Sequence, residues 1–134
     1  MTTYVDSEHP HPLSEPRIFI RVAPEPFPRP VLAMVDTAAP WCIFTPAVAW
    51  AIARYLEPVS APVVLSTRFG RFSGVLHRGM LTLLADEGEP LEVDATIFLS
   101  PEWTGPNFIG YQGLLQRIRF AVDPEANLFY FGRI

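Results

Sequence analysis

Apolar residues in this chain come in short bursts cut by prolines and glycines, and the bursts have the length and spacing of strands. Residues 17–22 alternate and are β-branched, which predicts a strand. Pro24 to Pro30 cannot donate a regular ladder, so that segment is a loop leading to a second strand. That strand is Val31-Leu32-Ala33-Met34-Val35, an apolar run that meets an acid and a hydroxyl at Asp36-Thr37. Residues 63–67 and 75–84 read as strands about a glycine-containing turn at 68–74, a β-hairpin. Residues 91–99, the pair Phe108-Ile109, and a closing hairpin of 119–123 with 127–132 supply the remaining strands.

Helical spacing is confined to two places. Thr45 can cap a helix that Pro46 opens, with Val48, Ile52 and Tyr55 or Leu56 on one face and Pro58 as the stop. A second short helix is expected over 111–117, after a tight turn at Gly110. The fold class is therefore all-β, mainly strands with one or two short helices.

The acid is where chemistry enters. An ionised carboxylate is costly to bury unless it is paired or hydrogen-bonded. Asp36 is thus either a satisfied turn residue or a working group.

Composition narrows the partners. The 134 residues amount to one domain, and nearly half are apolar, enough for a core. Fifteen prolines disfavour long helices. A net charge of -4, with every basic residue an arginine, gives no footprint for nucleic acid. The single cysteine, Cys42, excludes an internal disulfide and suggests a reducing, cytoplasmic setting. Neither a signal peptide nor a membrane span is expected. The histidines and Cys42 lack metal-ligand spacing, no phosphate loop occurs, and no cofactor or metal is called for. Residues 1–16, with three prolines and the His9-Pro10-His11-Pro12 run, read as a flexible arm ahead of a domain spanning 17–134.

Val35-Asp36-Thr37-Ala38-Ala39, entered from an apolar strand and followed by Cys42-Ile43-Phe44, resembles the active-site loop of aspartic proteases. The family pattern there is two hydrophobic residues, then Asp, Thr or Ser, Gly and Ala. Asn107-Phe108-Ile109-Gly110-Tyr111-Gln112-Gly113-Leu114-Leu115 is similar to the family's second element, two hydrophobic residues and a glycine leading into a short helix. The order and separation resemble the retropepsin-like enzymes, which carry one lobe per chain, and the resemblance covers roughly residues 17–134.

That resemblance implies an acid protease barrel and a homodimer in which Asp36 of each subunit meets its twin, because this chain has no second Asp-Thr/Ser-Gly-like motif. The two carboxylates would share one proton and activate water to hydrolyse a peptide or protein substrate, with a weakly acidic optimum. Thr37, Ala38 and Ala39 would support the loop, Thr37 by a hydrogen bond across the two-fold axis. Phe69, Gly70, Arg71, Phe72, Ser73 and Gly74 would form a flap over bound peptide. Phe108, Ile109 and Gly110 would brace the loop from behind.

Ala38 stands where the family has glycine. If that position needs a positive φ, alanine there costs on the order of 1 kcal/mol or more. The alternative to a working enzyme is a catalytically inactive module of the same fold that dimerises or binds peptides.

Overall fold

The computed structural model describes residues 3–6 and 18–134. In chain order these residues form β1 (Thr3–Asp6), β2 (Phe19–Ala23), β3 (Val31–Val35), β4 (Cys42–Ile43), α1 (Pro46–Ile52), β5 (Glu57–Pro58), β6 (Val63–Thr67), β7 (Gly70–Leu83), β8 (Leu91–Leu99), β9 (Phe108–Ile109), β10 (Arg119–Asp123) and β11 (Leu128–Gly132).

Hydrogen bonding runs β2–β3–β9–β4–β8–β7 and returns to β2, so six strands close a barrel and leave no open edge among themselves. Two of its pairings are parallel, β3 with β9 and β4 with β8. β7 is the longest strand. Val75 to Leu83 pair with β8, and Gly70 to Gly74 continue outward to pair with β6. The hairpin therefore grows out of a barrel strand and shares its rigidity at the base. A separate three-stranded sheet, β1–β11–β10, joins the two ends of the chain.

Alternation fills the barrel. Ile20 and Val22 of β2, Leu81 and Leu83 of β7, and Leu91, Val93, Ala95 and Ile97 of β8 all point inward. Val48 and Ile52 of α1 and Leu114 and Leu115 pack onto the same core. Each large side chain buried this way contributes roughly 1.5–3 kcal/mol. A second, mainly aromatic cluster lies beside it: Met34, Ile43, Phe72, Phe98, Trp103 and Phe108.

Several boundaries differ from the sequence expectations. α1 ends at Ile52 and relaxes into a 3-10 turn, Ala53–Tyr55. Thr45 does not cap it with its side chain; its N–H instead donates to Asn107 Oδ1 at 2.8 Å. The helix expected over 111–117 is a run of turns ending in one 3-10 turn, Leu115–Arg117. Gly113 ties this run to its neighbours instead: its N–H donates to Pro40 O (2.9 Å) and its C=O accepts from Thr96 N–H (2.9 Å). The hairpin turn is only Arg68-Phe69, because Gly70, at φ 123°, already opens β7. The arm expected over 1–16 contains a strand, Thr3–Asp6, bonded to Leu128–Phe131. The rest of that arm lies outside the described residues.

The closing hairpin falls where the pattern put it. Asp123 Oδ1 accepts the N–H groups of Glu125 (3.1 Å) and Ala126 (3.0 Å), and Asn127 takes the left-handed conformation, φ 63°.

Candidate active site

β3 delivers Asp36. Its last residues are pinned on both sides: Met34 N–H donates to Asn107 O (2.8 Å) and Val35 N–H to Ile18 O (2.8 Å). Asp36 N–H then donates to Ile109 O at 3.0 Å, so the acid leaves the barrel at a fixed height against β9. Beyond it the chain turns, with Ala39 N–H on Asp36 O at 3.2 Å. The carboxylate is itself oriented, since Ala38 N–H donates to Asp36 Oδ1 at 2.9 Å. Ala38 does not adopt a positive φ. The methyl group that distinguishes it from glycine therefore causes no backbone strain, and the residue is exposed where the loop lines the cleft.

β9 braces this loop by direct backbone contact. Tyr111 N–H donates to Ala39 O at 2.7 Å and Gly113 N–H to Pro40 O at 2.9 Å. Gly110 lies so close to Trp41 that a Cβ there would come within 2.3 Å of the Trp41 carbonyl oxygen and 2.7 Å of its nitrogen. Only glycine fits. Phe108 and Ile109 are buried, with Phe108 opposite Met34 and Ile43.

A cleft of about 280 Å3 opens over Asp36. Ala38, Ala39 and Pro40 form its floor, Ile43, Trp103 and Phe108 one wall, and residues 65–69 of the hairpin the roof. Phe69 at the hairpin tip leans onto that wall, edge-on to Trp103 (5.7 Å between centroids) and stacked with Phe108 (6.3 Å). Phe72 packs against Trp103 at 5.0 Å and holds the stem down.

Of the six hairpin residues expected to meet substrate, Phe69 alone lines the cleft. Phe72 is buried in the stem, and Gly74 passes so close to Leu99 O that a Cβ would approach to 2.4 Å. Gly70, Arg71 and Ser73 are exposed, and Ser73 N–H donates to Glu102 Oε1 at 2.9 Å. Thr37 is exposed and its hydroxyl has no hydrogen bond among the described residues.

Sequence reasoning missed Trp103, Asn107, Leu65 and Arg68. A tryptophan in a proline-rich loop was the available signal for the first. Asn107 clamps two elements, accepting from Thr45 N–H and donating through Nδ2 to Leu32 O at 3.1 Å.

Cys42 lies behind the loop, fully buried, and burial pushes its thiol up to about 12, so it stays protonated and unreactive. Among the described residues no group of three His, Cys, Asp or Glu side chains could hold a metal ion, and no helix is long and apolar enough to cross a membrane.

A six-strand barrel with one Asp-Thr loop, a hairpin above it and a bracing strand behind it is the single-lobe, retropepsin-like fold. The chain is similar over 97% of its length to the crystal structure of a retropepsin-like aspartic protease from Rickettsia conorii, covering 98% of that chain with a TM-score of 0.57 and 15% sequence identity. Neither the protein-family models nor the curated proteins give a match to the sequence.

Proposed function

We propose that this protein is an aspartic endopeptidase that works as a homodimer. The observation that carries the reading is Asp36 at the floor of a roofed cleft, with its carboxylate held by the Ala38 N–H and its backbone by Ile109. One lobe supplies one such acid. A two-fold dimer would bring the second Asp36 alongside it, and the exposed Thr37 and Ala38 leave that side of the loop free to meet a partner.

Two carboxylates in contact cannot both ionise, so the pair holds one proton between them. In this reading the charged member takes a proton from water, and the oxygen attacks the scissile carbonyl carbon. The protonated member gives its proton to the carbonyl oxygen. Collapse of the tetrahedral intermediate breaks the C–N bond, and the amine leaves with the proton the first carboxylate had taken. An extended peptide would lie between the loop and the hairpin, with apolar side chains against Ile43, Trp103 and Phe108. A cytoplasmic setting goes with the single free thiol.

The inactive-module alternative rested on Ala38; the ordinary backbone at that position supports the enzyme reading, because it is one that alanine adopts without strain. The test is cleavage of a mixed peptide library by the purified chain, from about pH 4 to pH 7. Asp36→Asn is expected to lower kcat/KM by about 10³-fold or more, since it removes the acid–base group. A purified dimer that cleaves nothing across that range refutes the enzyme.

A further inference from the structure

The hairpin tip carries a cation over the site. Among the residues that line the cleft, Asp36 and Arg68 are the only charged ones; the rest are apolar or hydroxylic. Arg68 makes no ion pair among the described residues, whereas Arg21 and Arg78 are both committed to carboxylates, Asp86 and Asp94. Glu102, beside the hairpin stem, accepts the Ser73 N–H through Oε1 and makes no ion pair with Arg68. The Arg68 guanidinium is not loose either. It lies over the Phe69 ring at 5.1 Å, Phe69 stacks on Phe108, and Phe108 is fixed in β9. A cation–aromatic stack of this kind leaves the edge of the planar guanidinium free to receive a carboxylate through two parallel N–H donors. On a chain of net charge -4, an unpaired and pre-positioned arginine at the mouth of an apolar cleft calls for an anionic partner.

We infer that Arg68 forms an anion-binding subsite that selects peptides bearing an Asp or Glu side chain beside the segment lying over Asp36. The inference rests on the peptide-cleft reading above and gives it a substrate class: acidic–apolar sequences, with apolar groups in the cleft and the carboxylate at the hairpin tip. Across a dimer the two hairpins would present this preference on both sides of the cut.

The experiment compares two fluorescent octapeptides that differ only by Glu or Gln at the residues flanking an apolar pair. Cleavage by the full chain is measured, and so is binding to the Asp36→Asn protein by fluorescence anisotropy. Wild type is expected to favour the Glu peptide by about fivefold, near the upper end of what an exposed charged pair allows. Arg68→Gln should bring the ratio to about one, and Arg68→Glu should invert it. Arg54→Gln removes another arginine that is stacked on a ring, over Tyr55 at 5.3 Å on the helix side, and should leave the ratio as in wild type. If neither peptide is cleaved but the Glu peptide binds Asp36→Asn with the Arg68-dependent preference, catalysis fails and the subsite stands. A wild-type ratio near one, a ratio that survives Arg68→Gln, or no binding of either peptide at millimolar concentration overturns the inference.

Discussion

Ala38 and Cys42, four residues apart, show how differently a single side chain can weigh on this site. At Ala38 the question was conformational. Its φ is not positive, and its backbone N–H reaches Asp36 Oδ1 as a glycine's would. At Cys42 the matter is electrostatic. The thiol is fully buried, and desolvation raises it from 9.0 to about 12, against weaker opposing effects from the Gly110 backbone and Arg117. A group whose folded value is raised contributes stability that is complete below its unfolded value. That stability is lost as pH climbs through the window from about 9 to about 12, because the unfolded chain ionises first. The slope there reaches about 1.4 kcal/mol per pH unit for one proton. Denaturant melts at pH 8 and pH 10.5 should therefore show wild type losing more stability than Cys42→Ala. Equal losses in the two proteins would place the alkaline sensitivity elsewhere.

At the scale of elements, β3 and β9 carry the site between them, and both were legible in the sequence. An apolar run ending in Asp-Thr marked β3, and Phe108-Ile109-Gly110 marked β9, because each is a local pattern with a local cause. What the sequence concealed depends on contacts across the barrel. The turns after Gly110 are tied through Gly113 to Pro40 and Thr96, and neither contact can be read from the local pattern of residues 111–117. The hairpin was visible as two strands, but its turn is Arg68-Phe69 where 68–74 was expected, and Phe72 packs on Trp103 from the stem. Asn107 was invisible as a clamp because its partners, Leu32 and Thr45, become neighbours only once the barrel closes.

The brace itself can be tested at this scale. Gly110→Ala would drive a Cβ into the Trp41 backbone, which cannot rotate away as a side chain would. The expected loss is about 2–3 kcal/mol, toward the upper end for an overpacked site, read as a lower denaturant midpoint with unchanged slope. Because the same contact fixes the loop, any activity should fall further than stability alone explains.

For the whole molecule, the decisive feature is that a closed barrel holds one Asp-Thr loop and a three-stranded sheet pairs Thr3–Asp6 with the closing hairpin. In a two-lobed enzyme a second acid would lie on the same chain and activity would be first order in protein. Here the proposed chemistry needs two copies. Specific activity should therefore rise with protein concentration and level off once the dimer is saturated, as for any function that exists only in the associated state. Mixing wild type with Asp36→Asn sharpens the argument. If subunits exchange freely and both acids are needed, an equal mixture contains about one quarter wild-type dimers, and activity should fall to about a quarter of that of the same total concentration of wild type. A mixture that retains about half the activity would mean that each chain works alone. The single acid would then have to be activated by groups within its own lobe.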